Sequence, residues 1–187
     1  MINRVLFYNS GGGIGDAIQI LPLIYSLKNK FKNVDFFYLG AHENHFIGSL
    51  KNLNFNIKTL DLNIKYFGFR LWHFFLIKKK IKENDIKKFD LIIDLQSKLR
   101  NTIILKRIPH KYFISSCLNF KLSKPKLNIP KTGSLNSIIL NAVNKVLNTN
   151  VDLIDFNIND IESKFFEESK KLLPKNNYVG LSITQGN

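Results

Sequence analysis

Cysteine and histidine are scarce in this chain. Cys117 is the single cysteine among 187 residues, and there are four histidines. One thiol excludes an internal disulfide and any cysteine-based zinc site. The histidines do not have metal-ligand spacing either, since His42 and His45, three residues apart, fall in a predicted loop. We therefore expect no metal site.

Long hydrophobic runs are also absent. Away from the N-terminus no uninterrupted apolar stretch is longer than the four residues of Phe74 to Ile77, whereas a helix needs ~20 apolar residues to span a bilayer. The first apolar run is short, is followed by glycines and has no small-residue cleavage site. We expect a soluble or peripheral protein in the cytoplasm.

Acidic residues are few. The chain has 14 of them against 28 lysines and arginines, which gives a formal net charge of +14. This excess predicts an anionic partner, namely nucleic acid, a phosphorylated substrate or a membrane surface, unless it reflects a compositional bias toward Lys, Asn and Ile. Nucleic acid is disfavoured because arginines are few and no RNA-binding signature is present. The 16 phenylalanines and 44% hydrophobic content indicate a well-buried core.

A glycine-rich turn dominates the first part of the sequence. It follows a strand-like run, Val5 to Tyr8, and precedes an amphipathic helix that reaches about Phe31. Glycines let the backbone turn sharply, and Asp16 comes where the helix should begin. A strand, a turn and a helix N-terminus together suit an anionic or hydroxylated ligand. The glycines of this turn are Gly11, Gly12, Gly13 and Gly15.

Three interpretations of Asp16 compete. In the first, Asp16 is a helix N-cap and Gln19 completes a capping box, which requires no further function. In the second, the turn is a dinucleotide-binding fingerprint. That pattern fails because it needs a glycine at position 16, and no acidic residue ends the second strand to hold a ribose. In the third, Asp16 is a catalytic base, and the glycines leave room for a bulky substrate. Position alone does not separate the first from the third.

Residues 64 to 84 are predicted to form a long helix rich in aromatic residues that ends in a lysine cluster. Rings followed by lysines are typical of a segment at the interface of an anionic membrane. The alternative is a core-packing helix with a solvated basic end. A second open point is the basic loop from 119 to 132, which is long enough to be a functional lid or simply a mobile connection.

The segment from Phe89 to Gln96 is the clearest central strand, because it is nearly all apolar between its ends. Gln96 ends it, and Arg100 lies in the helix that follows. Ligands of open α/β sheets bind beyond the carboxyl ends of the strands. We therefore expect Asp16, Gln96 and Arg100 to line one crevice.

Strands and helices alternate along the whole chain with short links, which predicts an α/β fold with a Rossmann-like, doubly wound parallel sheet. The final strand, at 178–183, runs into Thr-Gln-Gly and looks like the start of another unit. We therefore expect the chain to be the N-terminal half of a longer protein. The other strands are predicted at 3–8, 34–39, 55–60, 89–96 and 111–115, and the helices at 16–31, 64–84, 97–106, 135–148 and 160–173.

Three motifs resemble the heptosyltransferases of glycosyltransferase family nine. They are Gly-Gly-Ile-Gly-Asp-Ala-Ile-Gln-Ile-Leu-Pro at 12–22, Phe-Asp-Leu-Ile-Ile-Asp-Leu-Gln-Ser-Lys-Leu-Arg at 89–100 and Val-Gly-Leu-Ser-Ile-Thr-Gln-Gly at 179–186. The resemblance covers the chain in order. It implies the N-terminal half of a GT-B glycosyltransferase, with an acceptor-binding domain over 1–175 and the first strand of a donor-binding domain over 176–187.

The resemblance also implies an activity. Members move heptose from ADP-heptose to an anionic, lipid-linked acceptor, the lipopolysaccharide core, at the cytoplasmic face of the inner membrane. They invert the anomeric configuration and require no metal or other cofactor. A chain of this length would lack half of the site and be inactive alone.

The family's site residues map onto matching positions of this sequence. Asp16 corresponds to the general base, Arg100 to a contact with the acceptor, and Thr184 to a residue near the donor phosphates. Together with the turn glycines Gly12, Gly13 and Gly15, Gln96 completes the predicted substrate site. The sugar could differ from heptose, since a glycine turn and an aspartate do not specify it. The alternative function is a non-catalytic Rossmann-type module that binds an anionic ligand.

Overall fold

The computed structural model describes residues 2–10, 13–40, 45–48, 50, 56–130, 132–154 and 163–173. The chain divides into two compact units, 1–154 and 155–187. In the second unit the described element is an exposed helix, α6 (Ser163–Leu172). The predicted domain boundary at 175/176 and the predicted strand at 178–183 lie outside the described residues, so both stay predictions.

The first unit contains a five-stranded sheet whose described pairs are all parallel, in the order β3-β2-β1-β4-β5. This confirms the predicted Rossmann-like α/β fold. Its strands are β1 (Arg4–Asn9), β2 (Asp35–Gly40), β3 (Lys58–Thr59), β4 (Phe89–Asp94) and β5 (His110–Ser115). Its helices are α1 (Ile14–Gln19), α2 (Leu21–Lys30), α3 (His73–Glu83), α4 (Leu99–Leu105) and α5 (Leu135–Leu147).

Each face of the sheet has its own hydrophobic core. Alternate residues of β1 point to opposite faces, so Val5 and Phe7 belong to one core and Leu6 and Tyr8 to the other. The first core contains the buried sides of α2 and α5, and the second contains those of α3 and α4. Central strands covered on both faces explain the nearly continuous apolar sequence of β1 and β4.

The first helix differs from the prediction. Instead of one helix over 16–31, α1 ends at Gln19 and α2 begins at Leu21, with Ile20 between them. Pro22 explains the break, because it has no N–H to continue the first helix, while a proline in the first turn of α2 loses no hydrogen bond. The buried Asn136 of α5 donates its side-chain amide to the freed Gln19 carbonyl at 2.7 Å.

The aromatic segment also differs from the prediction of a single helix over 64–84. Turns occupy its first part, and α3 begins only at His73. Two residues have left-handed backbone, Tyr66 with a φ of 53° and Gly68 with a φ of 89°, which a helix cannot accommodate. No helix in the described residues is long and apolar enough to cross a membrane.

The basic loop after β5 is held against the first core over residues 116–130. Phe120 is fully buried. Phe113 and Lys124 exchange two backbone hydrogen bonds of 3.0 and 2.8 Å. The hydroxyl of Ser123 accepts a hydrogen bond from the Ser115 amide at 3.1 Å. These contacts favour a fixed connection over a lid in this part of the loop.

Candidate functional site

The strand order creates a crevice at one edge of the sheet. β1 is flanked by β2 on one side and β4 on the other, so the chain leaves the carboxyl ends of β1 and β4 in opposite directions. Such a switch point is where open α/β sheets bind ligands. Asn9 ends β1 at this point, and Gln96 follows β4.

Asn9 joins the two halves of the crevice. Its side-chain oxygen accepts a hydrogen bond from Gln96 Nε2 at 2.7 Å, and its amide donates to the Asp16 carbonyl at 3.1 Å. The residue is 2% exposed. Asn9 therefore fixes the first turn of α1 relative to the loop after β4, and it links the backbone of Asp16 to the side chain of Gln96.

Asp16 is not the N-cap of the first helix, so the capping-box interpretation is wrong. The N-cap is Gly13, which has an extended backbone and no side chain that could accept a capping hydrogen bond. Asp16 is the third residue of the helix. Its side chain is exposed. The described residues give its carboxylate no hydrogen bond or ion pair. A carboxylate in the first turn suits the helix dipole, and this one is open to a ligand.

The two described glycines of the turn provide space and have no left-handed backbone. Gly13 has a φ of −90°, and a methyl group there would come within 3.8 Å of Asp16 Oδ2. A methyl group at Gly15 would meet no atom within 4 Å. The position directly before Asp16 therefore has room for a ligand atom, as far as the described residues show. Gly12 lies outside the described residues.

Gln96 is positioned by the buried carboxylate of Asp94. The backbone amides of Gln96 and Ser97 donate to Asp94 Oδ1 at 3.1 and 3.0 Å. The hydroxyls of Thr102 and Ser115 donate to Asp94 Oδ2. Burial raises the pKa of Asp94, and these hydrogen bonds oppose that rise. Asp94 is inaccessible to a ligand and acts through the loop it holds.

Arg100 lies in the first turn of α4 and is held by the turn at 66–69. Its Nε donates to the Gly68 carbonyl at 2.8 Å, and its guanidinium carbon lies 5.8 Å from the centre of the Phe69 ring. The side chain is exposed. Among the described residues it has no hydrogen bond with Asp16 or Gln96. Arg100 reaches the same sheet edge through Gly68, which packs against Tyr8 of β1.

Tyr8 and Asn101 lie beneath Gly68. The Tyr8 hydroxyl donates to the Phe67 carbonyl at 2.9 Å and accepts from the Asn101 amide at 3.0 Å. Asn101 also lies within 3.4 Å of the Ser10 hydroxyl. Burial raises the pKa of Tyr8 above its ordinary range. This neutral network connects the turn that holds Arg100 to the end of β1.

Tyr38 lies on the Asp16 side of Asn9. Burial raises its pKa to about 12, a hydrogen bond with Asn9 lowers it, and the charge of Asp16 raises it. The phenol is therefore neutral at physiological pH. The exposed carboxylate of Asp16 can take a proton from a hydroxyl, and the exposed guanidinium of Arg100 can hold an anion.

Several residues that shape the site escaped the sequence analysis. Asn9 had a usable signal, because it is the polar residue that directly ends the apolar β1. Gly68 and Asn101 had none, since their contact depends on a turn predicted to be helical. Thr184 lies outside the described residues. No cluster of metal-ligating side chains occurs in the described part of the chain.

Comparison with solved structures shows a shared fold. The E. coli heptosyltransferase WaaC with ADP matches 82% of this chain at a TM-score of 0.55 and 15% identity, and the match covers 50% of that chain. The same enzyme with ADP-2-deoxy-2-fluoro heptose gives equal values over 81% of this chain. No protein-family model and no curated protein sequence matches.

The glycosyl transferase family 9 structure from Veillonella parvula DSM 2008 matches 93% of this chain and 51% of its own, at a TM-score of 0.55 and 14% identity. The chain thus spans about half the length of these structures. The resemblance found in the sequence is confirmed at the level of the fold. At such low identity the likeness gives the architecture, and the activity has to be argued from the site.

Proposed function

We propose that this chain contributes the acceptor-binding half of an inverting glycosyltransferase of the family-nine type, with Asp16 as the general base. The single observation that carries this proposal is the state of the Asp16 carboxylate. It is exposed, it follows Gly15, where an added methyl group would meet no atom within 4 Å, and its backbone carbonyl is held by Asn9. A carboxylate held in place without a described partner suits proton transfer better than a structural role.

The proposed reaction is a displacement at the anomeric carbon. Asp16 takes the proton of an acceptor hydroxyl, and the hydroxyl oxygen forms a bond to that carbon. The bond between the carbon and the diphosphate oxygen breaks on the opposite face, and the nucleoside diphosphate leaves with the electron pair. One base on one side of the sugar gives inversion of configuration.

The acceptor is proposed to be an anionic, lipid-linked glycan of the lipopolysaccharide-core type. Arg100 supports this, because its guanidinium is exposed and, among the described residues, its one hydrogen bond runs from Nε to the Gly68 carbonyl. The remaining donors of a guanidinium can bind carboxylate or phosphate oxygens in pairs. A net charge of +14 favours such an acceptor.

The donor is proposed to be ADP-heptose or a related nucleotide sugar. Two structures of the same fold contain ADP or an ADP-heptose analogue, which supports this choice. Thr184 is proposed to lie near the donor phosphates. The proposed place of reaction is the cytoplasmic face of the inner membrane.

The proposal is tested by incubating the full-length protein with ADP-heptose and a Kdo-lipid A acceptor. We expect a heptosylated product whose anomeric configuration, read by NMR, is opposite to that of the donor. Retention of configuration would contradict the mechanism. The other outcome is that no product forms, but an anionic glycan fragment binds and shifts the NMR signals of Asp16 and Arg100. The chain is then a non-catalytic binding module.

A further inference from the structure

An apolar groove lies open between α3 and α4. Its volume is about 300 Å³, and Arg100 forms part of its wall. Leu71 and Phe75 are 73% and 77% exposed, and the neighbouring Trp72 is 57% exposed. These three side chains and the groove are called the α3–α4 face below. The apolar residues of the groove wall are Leu71, Phe74, Phe75, Ile103 and Ile104.

Lysines share the exposed side of α3 with Phe75. Lys78, Lys79 and Lys82 follow it at intervals of three, four and seven residues, which places all of them on one side of the helix. Lys80 is different, because its side chain is only 23% exposed and bonds Glu83 at 3.0 Å. The described residues give Lys78 and Lys82 no carboxylate partner.

Arginines border the same apolar surface. Arg107 lies over the Phe74 ring at 4.3 Å and Arg70 lies over the Trp72 ring at 5.1 Å. Arg100 completes the border in the wall of the groove. The face thus combines a large apolar centre with a cationic margin.

This combination fits an anionic membrane surface better than a protein. Protein interfaces are depleted of lysine, whereas segments that lie in the membrane interface pair Trp, Phe and Leu with lysine and arginine. Each cation near an anionic bilayer adds to the attraction. The long lysine side chains can reach the phosphates while the rings enter the headgroup region.

We propose that the α3–α4 face docks on the headgroup region of an anionic bilayer, with Leu71, Trp72 and Phe75 inserted and Lys78 and Lys82 on lipid phosphates. Arg100 lines the groove, and its hydrogen bond to the Gly68 carbonyl connects it to the turn that packs on Tyr8, next to the end of β1. Docking therefore places the crevice at the membrane surface, where a lipid-linked acceptor would enter it. This last step rests on the proposed function, and the docking itself does not.

The test measures binding of the full-length protein to vesicles of phosphatidylglycerol mixed with phosphatidylcholine, and to vesicles of phosphatidylcholine alone. We expect binding to the mixed vesicles that weakens as salt is added. The double variant Leu71→Ser/Phe75→Ser should bind at least about ten-fold more weakly, because it removes the inserted apolar side chains. Both side chains are exposed, so the fold should survive, which circular dichroism checks.

A charge variant tests the lysines separately. Lys78→Gln/Lys82→Gln should lose about five-fold in affinity for each lysine removed. The matched controls lie in the loop that packs on the other face of the sheet: Lys121→Gln/Lys126→Gln for charge and Leu118→Ser for exposed apolar surface. The controls should bind as the wild type does.

Equal binding by the wild type and the double serine variant would overturn the docking proposal. So would an equal loss in the controls, or a change in molecular mass by light scattering in the face variants without loss of vesicle binding, since the face would then be a protein interface. Transfer to a soluble, deacylated acceptor separates the two proposals. If that transfer fails while the vesicle results hold, the docking face stands and the proposed function is wrong.

Discussion

Gln96 and Asn9 connect the carboxyl ends of the two central strands through one hydrogen bond, from Gln96 Nε2 to Asn9 Oδ1 at 2.7 Å. The same Asn9 side chain donates to the backbone of Asp16. A change at Gln96 is therefore transmitted to the carboxylate through one intermediate residue.

Gln96→Ala should slow transfer mainly through kcat, by about ten-fold, because Asn9 loses its partner and the first turn of α1 is held less firmly. Loss of one partly buried neutral hydrogen bond should cost about 1 kcal/mol of the free energy of unfolding. Steady-state kinetics and urea unfolding measure the two effects. Gln19→Ala, on an exposed position of α1, is the control. An unchanged kcat in Gln96→Ala would show that this link does not position Asp16.

Arg100→Ala should weaken binding of the acceptor more than binding of the donor. The guanidinium is placed on the acceptor side of the crevice, so the KM for the acceptor should rise while the KM for the nucleotide sugar stays within a small factor. Arg100→Lys keeps the charge but lacks the planar fork, and should recover only part of the loss. An equal rise in both KM values would contradict this placement.

Alanine substitutions at two glycines distinguish the loss of substrate space at the site from the disruption of packing in the core. Gly15→Ala should change the free energy of unfolding by no more than about 1 kcal/mol, since the new methyl group meets no atom within 4 Å. It should nevertheless lower kcat/KM, because it intrudes on the space beside Asp16. Unchanged kcat/KM would place the substrate elsewhere.

Gly68→Ala is the opposite case. A methyl group there would lie 2.6 Å from the Tyr8 hydroxyl, on backbone with a φ of +89°. We expect a loss of about 2 kcal/mol or more in the free energy of unfolding.

Asp94 should give the unfolding a pH dependence of known sign. Burial raises its folded-state pKa above its ordinary unfolded value of about 3.9. The contribution that Asp94 makes to the free energy of unfolding below that pH is therefore lost as the pH rises through the folded-state pKa. Asp94→Asn lacks this titration and keeps an oxygen for the two backbone amides. The free energy of unfolding of Asp94→Asn should therefore increase relative to that of the wild type as the pH rises from about 4.

Urea unfolding at several pH values measures that difference. Asp85→Asn, an exposed carboxyl on left-handed backbone that asparagine tolerates, is the control. A difference between Asp94→Asn and the wild type that stays constant or shrinks with rising pH would contradict the predicted sign.

The sequence was sufficient for the sheet. The apolar runs of β1 and β4 predicted central strands, and Asp16 and Gln96 both follow the carboxyl ends of these strands, where Asn9 links them. The helix boundaries were harder to predict from the sequence. One helix was predicted over 16–31, whereas Pro22 lies in the first turn of a second helix.

The turn at 66–69 was not predictable from its residues. Its aromatic residues fit helical spacing, whereas the left-handed Gly68 packs closely on Tyr8 and Asn101 from distant parts of the chain. The position of Arg100 depends on this turn, which is why its partner could not be foreseen. Asp16 was read as a possible cap because the start of α1 was placed two residues too late.

The most direct test of the account is the rate of sugar transfer by the full-length Asp16→Asn variant beside the wild type and Asp152→Asn, an exposed aspartate away from the crevice. Asparagine preserves the size of the side chain, and α1 does not use Asp16 as its N-cap. We expect Asp16→Asn to lose ~10²–10⁴-fold in kcat, with a free energy of unfolding lowered by no more than about 1 kcal/mol through the lost charge at the helix N-terminus, and unchanged rates in the control. Transfer at the wild-type rate by Asp16→Asn would contradict it.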